Sequence, residues 1–132
     1  MIFGGVFERF PDLKLVLSEY GVTWALPMMW RMDRAWELGD RELAGLSRAP
    51  SETVRRNVRF TTQPLDEPSV QQQLWKILEL MHADETVMFS SDYPHWDGDD
   101  PRLILGSRLP AHLRQPIANG NAIACFGKRL GL

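Results

Sequence analysis

Ser90-Ser91-Asp92-Tyr93-Pro94-His95-Trp96-Asp97 follows directly on Thr86-Val87-Met88-Phe89. The leading four residues are β-branched, apolar or aromatic, the make-up of a buried strand. Small polar residues end that run abruptly and hand over to an acid, a proline and a histidine. In a sheet of parallel strands, ligands and chemistry gather in the loops at the carboxyl ends of the strands. Asp92 is expected at such an end, its carboxylate aimed into the mouth of the sheet. Read locally, the same residue serves as well as a turn former or N-cap, since Asp and Pro both favour turns. His95, a lone histidine near a strand end, reads more simply as structural than as a ligand.

Upstream, the pattern alternates between helix and strand. Phe3, Val6, Phe7 and Phe10 mark one apolar helix face over residues 2–10, which Pro11 stops. Met1 and Ile2 lead into that face with no capping residue, as expected of a chain cut from something longer. Lys14–Ser18 is a short strand ending at Glu19-Tyr20-Gly21. Ala25, Met29, Met32 and Trp36 recur at helical spacing, with Pro27 in the first turn and Gly39 closing the helix. Residues 40–50 read as a surface connection. Ser51 is the expected N-cap of a short helix reaching Arg56 or Asn57, and Val58–Thr62 is the second strand. Asp66 or Glu67 is expected to cap the next helix, with Pro68 in first position and Val70, Leu74, Ile77, Leu78 and Met81 as its stripe. His82 falls in its last turn and reads as structural.

Downstream of Thr86–Ser90, Asp99 or Asp100 with Pro101 opens a helix to about Gly106. Another starts at Leu109-Pro110, to be kinked or ended by Pro116, and the last runs from Asn119 to Phe126 and closes at Gly127. His112 has no assigned role. Strands separated by helices call for a parallel sheet with right-handed crossovers. Three parallel strands alone leave two open edges and an uncovered face, so the pattern belongs to a larger α/β assembly.

Composition removes several classes. Hydrophobic residues make up 44% and charged residues 24%, which excludes a disordered or membrane-spanning chain. Net charge is −2 with scattered Lys and Arg, so no nucleic-acid footprint exists. Cys125 is the only cysteine, which rules out an intrachain disulfide and a Cys-rich zinc site and fits a buried small hydrophobe. With no charged-then-apolar leader at the start, a reducing cytoplasmic location is expected.

Three passages resemble the carboxyl-terminal part of the amidohydrolase-related (amidohydrolase 2) family, which includes aminocarboxymuconate-semialdehyde decarboxylase. They are Gly5-Val6-Phe7-Glu8-Arg9-Phe10-Pro11-Asp12-Leu13-Lys14-Leu15-Val16, Ser90-Ser91-Asp92-Tyr93-Pro94-His95, and Asn121-Ala122 with Phe126-Gly127. The resemblance implies that residues 1–132 are one partial domain: about three β/α units of a TIM (β/α)8 barrel, without its amino-terminal strands. It also implies a metal-dependent hydrolase or decarboxylase acting on a small carboxylic acid, with a divalent metal, usually zinc. Asp92 would be metal ligand and proton acceptor, and His95 would orient it or touch substrate. Glu19, followed by Gly21 and Trp24 as in a subgroup of the family, would line the substrate pocket with Trp24; read locally, Glu19 is equally an acid near a helix N-terminus.

The family's His-x-His pair is absent, for the histidines are only His82, His95 and His112. One carboxylate cannot hold a catalytic zinc, so this chain alone is expected to be inactive. Its expected partners are a small substrate, a missing amino-terminal half or further copies of itself, with no nucleic acid and no membrane. The rival expectation is a non-catalytic α/β remnant that binds a partner through its sheet edges. A third is a binding module that stacks ligands on Trp24, Trp30 and Trp96.

Overall fold

The apolar runs pair as three short parallel strands. In the computed structural model, which describes residues 1–40 and 45–131, β1 (Leu15–Leu17), β2 (Val58–Thr61) and β3 (Val87–Met88) lie in the order β1-β2-β3. Leu15 stands opposite Val58, and Phe60 opposite Val87. Helices fill both connections, as a parallel neighbour requires. Helix α2 (Ala25–Ala35) and helix α3 (Pro50–Asn57) separate β1 from β2; α4 (Gln71–Leu80) and α5 (Ala83–Thr86) separate β2 from β3.

Alternation along the strands sends successive side chains to opposite faces. Leu15, Leu17, Val58 and Phe60 share a face with Ala25, Met29 and Val54 of α2 and α3. Val16 turns the other way, toward Ala124, Cys125 and Phe126 of the last helix, α8 (Asn121–Leu130). The core gathers Phe7, Leu26, Met29, Val54, Phe60, Leu74, Leu78 and Ile117. No described helix is long and apolar enough to cross a membrane.

Several elements depart from the sequence pattern, each for a local reason. The first helix, α1, is only Val6–Arg9, because Gly5 takes a left-handed conformation at φ 65°. Phe7 is buried while Phe3 and Phe10 are exposed, so the aromatic stripe is not one buried face. Helix α2 begins at Ala25, which leaves Pro27 in the first turn as expected, and a wider turn, Trp36–Asp40, ends it around Gly39 (φ 117°). Ser51 is not the cap of α3. Pro50 takes the first position, and Asp33 of α2 accepts the Ser51 amide at 2.8 Å, so a neighbouring helix satisfies that free donor.

Helix α4 likewise starts later than Pro68. Asp66 is committed to the amide and hydroxyl of Thr23 (3.3 and 2.8 Å), and Glu67 pairs with Arg108 at 3.0 Å. Val70 is left exposed. His82 lies beyond α4, at φ 53°, and its carbonyl accepts the Thr86 hydroxyl; its role is structural, in a different place from the one expected. Thr86 closes α5, so β3 is shorter than the expected 86–90.

Asp100 caps helix α6 (Pro101–Leu103) through the Arg102 amide at 2.8 Å, as read from the sequence. Pro116 does not end the helical path it sits in. Helix α7 (Ala111–Gln115) runs through a wider turn, Pro116–Gly120, into α8. That last helix passes Gly127 and closes at Gly131 (φ 73°). Cys125 is only half-buried. The expected surface connection at 40–50 falls partly on residues 41–44, outside the described residues.

Buried Asn121 joins α8 to the sheet, donating from Nδ2 to the carbonyls of Ala83 (3.0 Å) and Val87 (2.6 Å). Asn121→Ala leaves the Val87 carbonyl without its side-chain donor and the Ala83 carbonyl with only the Val87 amide, and should cost about 2 kcal/mol. Urea unfolding should show a lower midpoint at unchanged slope.

Candidate active site

The carboxyl ends of all three strands are tied together by β2. Thr62, fully buried, donates its amide to the Met88 carbonyl at 3.0 Å and so continues the ladder past β2. Its hydroxyl accepts the Ser90 amide and donates to the Ser90 carbonyl, both at 3.1 Å. Thr61 plays the same part on the other side, accepting the Glu19 amide at 3.3 Å. Glu19 and Asp92 therefore begin their loops from defined positions flanking the end of β2. They stand two strand spacings apart, roughly 10 Å.

Both acids are in the left-handed backbone region, Glu19 at φ 62° and Asp92 at φ 56°. Asp tolerates this conformation because its short side chain bonds locally; Glu has no such compensation. Residues 91–99 fold into a compact loop. The Ser91 carbonyl accepts the Asp99 amide (2.8 Å), the Asp92 carbonyl accepts the His95 amide (2.9 Å), and the His95 carbonyl accepts the Gly98 amide (3.1 Å). Gly98 is required by close approach: a Cβ there would sit 2.8 Å from the Ser91 carbonyl oxygen.

This loop draws three side chains together. His95 Nδ1 lies 3.4 Å from Asp92 Oδ2, with the Asp92 side chain 13% exposed and the His95 side chain 67% exposed. Asp97 joins them, one donor atom from each of the three lying within 4.8 Å of the others. The structure thus unites Asp92 and His95 and adds Asp97, which sequence reasoning quoted but gave no role. The available signal was an acid just before the loop-closing glycine.

Glu19 reaches the same end of the sheet on the far side of β2. Trp24 does not approach Asp92. It packs edge-on against Phe60 (6.2 Å, 76°) on the helix-facing side, and its indole N–H donates to the carbonyls of Tyr20 and Gly21 at 2.8 and 3.2 Å. The three tryptophans of the stacking idea lie apart. Trp24 lines the apolar cleft under α2, Trp30 a groove with Asp33 and Arg55, and Trp96 stands exposed in the Asp92 loop.

Beside the loop, partial burial pushes the Asp99 carboxyl above its ordinary range, reinforced by Glu67 and Asp97 and opposed by Arg108. One of its oxygens is buried without a hydrogen-bond partner. The folded state thus disfavours the carboxylate.

The chain matches the amidohydrolase family model over residues 1–128. It belongs to the amidohydrolase family. No curated protein matches it. Among solved structures it is similar to 5-carboxyvanillate decarboxylase LigW from Sphingomonas paucimobilis, at 30% identity and TM-score 0.68, covering 96% of this chain and 37% of that one. It is also similar to amidohydrolase map2389c from Mycobacterium avium subsp. paratuberculosis K-10, at 25% identity and TM-score 0.72, over 96% of this chain and 31% of the other. A dihydroxybenzoic acid decarboxylase from Polaromonas sp. JS666, solved with manganese and 2-nitroresorcinol, shares the fold at 21% identity and TM-score 0.62, over 97% and 38% of the two chains. This family member therefore spans about a third of the length of these structures, as part of a (β/α)8 barrel.

Two outcomes are expected of the loop. Gly98→Ala should force the 91–99 turn apart and cost about 2 kcal/mol in thermal or urea unfolding, the usual scale of a local overpacking. Its amide spectrum should shift at Asp92 and His95. For Asp99, the raised folded value means that the folded state holds the proton more tightly than the unfolded one. Stability is full below the ordinary carboxylate range and falls as pH rises through the Asp99 folded value. Asp99→Asn should abolish that fall, so the variant is the more stable protein at neutral pH and pH-dependent unfolding curves diverge only above the acid range.

Proposed function

We propose that the chain is the carboxyl-terminal part of a metal-dependent amidohydrolase-family enzyme that removes carbon dioxide, without oxidation, from a small aromatic carboxylic acid. The observation that carries this reading is Asp92, held at the carboxyl end of β3 with His95 and Asp97 beside it. Family membership and the similarity to 5-carboxyvanillate decarboxylase support the choice of reaction. Hydrolysis, the chemistry in the family's name, is the competing outcome, and the released product separates the two.

The donor set suits a divalent cation of borderline hardness: two carboxylates and an imidazole, able to bind zinc or manganese. Asp92 and His95 are close enough to share an ion, and a donor atom of exposed Asp97 lies within 4.8 Å of both. Asp92 is the principal ligand in this reading, His95 its orienting partner or a substrate contact, and Glu19 a wall of the same mouth. When bound, the metal supplies positive charge that holds a substrate carboxylate and stabilises charge developing on it. Asp92, little exposed and paired with a solvent-facing imidazole, is placed to accept or return a proton. The domain assignment, residues 1–132 as one partial barrel, belongs to this proposal, as does the expectation that the part alone turns over no substrate.

Calorimetric titration of the chain with Mn²⁺ or Zn²⁺ tests the site directly. Asp92→Asn should weaken binding by at least ten-fold, the minimum expected when even an outer partner of a ligand is lost. In an assembled barrel the same change should abolish carbon dioxide release. Undiminished cation binding in Asp92→Asn would overturn the assignment.

A further inference from the structure

Three consecutive buried polar residues end the central strand: Thr61, Thr62 and Gln63, at 7%, 0% and 5% exposed. Buried polar groups in folded proteins are as a rule hydrogen-bonded, so each calls for a partner. The Thr61 hydroxyl serves Glu19, and the Thr62 hydroxyl serves Ser90. Gln63 is the exception. Its backbone carbonyl lies 3.5 Å from the Thr61 hydroxyl, yet its side-chain amide makes no hydrogen bond among the described residues. The two buried asparagines behave differently. Asn57 donates to the carbonyls of Pro11 and Leu13, and Asn121 to those of Ala83 and Val87.

Gln63 stands where the site lacks a donor. The Thr62 amide extends the ladder past β2, so alternation puts Gln63 on the face of Arg59 and Thr61, opposite the face packed by α2 and α3. With helices on the outside of a barrel, that face is the interior, and Gln63 lies at its carboxyl end. The loops that carry Glu19 and Asp92 start on either side of it. Both acids, when ionised, only accept hydrogen bonds and repel an anion; a carboxamide is neutral and carries two N–H donors. We propose that Gln63 is a substrate-binding residue, its Nε2 donating to a carboxylate oxygen of the aromatic acid. Such a bond to a charged acceptor is of the stronger kind, which suits a residue that contributes no pairing to the fold. This rests on reading the site as one for an aromatic carboxylic acid.

The test uses the full 132-residue chain with Zn²⁺ and benzoate, the simplest aromatic carboxylate. In an NMR titration with benzoate, the Gln63 Nε2 resonances should move along the saturation curve. Gln63→Met keeps the length of the side chain and removes the donor. It should weaken benzoate binding by about ten-fold or more, as loss of a hydrogen bond to a charged group does. The same variant should unfold at an unchanged or higher temperature, because no pairing within the fold is lost. A lower unfolding temperature would mean that the amide holds the fold together. That result, an unchanged benzoate affinity, or a stationary Gln63 amide would each overturn the proposal. Zn²⁺ affinity, measured separately by calorimetry, should be the same in Gln63→Met and the parent. Gln63 can therefore fail while cation binding at Asp92 stands, and benzoate held through Gln63 in a chain that takes up no cation would be the reverse.

Discussion

A single hydroxyl, that of Thr62, replaces the ladder at the point where β3 stops being a strand. It satisfies both the amide and the carbonyl of Ser90 from a fully buried position. Without it those groups would be left unpaired just where the chain must turn, at a cost that a short strand has little packing to offset. Thr61 fixes the start of the Glu19 loop from the same strand end. The central strand therefore sets the positions of both acids, and the mouth of the sheet depends on those two threonines.

Much of this architecture was legible in the chain. Periodicity and breakers located the three strands and their helical crossovers, because buried parallel strands need continuous apolar runs and Pro or Gly at their ends. Helix starts were misread where the capping group came from another element. Asp33 satisfies the Ser51 amide and Asp66 serves Thr23, and no local rule can see a partner that distant in sequence. Gly127 and Pro116 misled for the converse reason. Burial against the sheet outweighs the modest helix penalty of a glycine, and Pro116 is tolerated at the first position of the wide turn, where its missing N–H is not needed.

At the site, Asp92 and His95 were legible from the strand-then-polar pattern together with the family resemblance. Asp97 was not, since its approach depends on the tight return at Gly98, which brings backbone within contact distance. Trp24 was expected at the substrate pocket, and its side chain lies instead against Phe60 on the helix-facing side. Its indole N–H is held there by the carbonyls of Tyr20 and Gly21 in the turn before it.

The site and the sheet describe one molecule: a chain that presents a carboxylate, Asp92, at the carboxyl end of three parallel strands. The most direct check on the carboxylate is an anomalous-scattering crystal structure of the protein grown with Mn²⁺. A manganese peak is predicted within bonding distance of an Asp92 carboxylate oxygen, with His95 or Asp97 as a second ligand. A well-ordered loop with no peak at Asp92, or manganese held by other residues alone, would contradict that assignment.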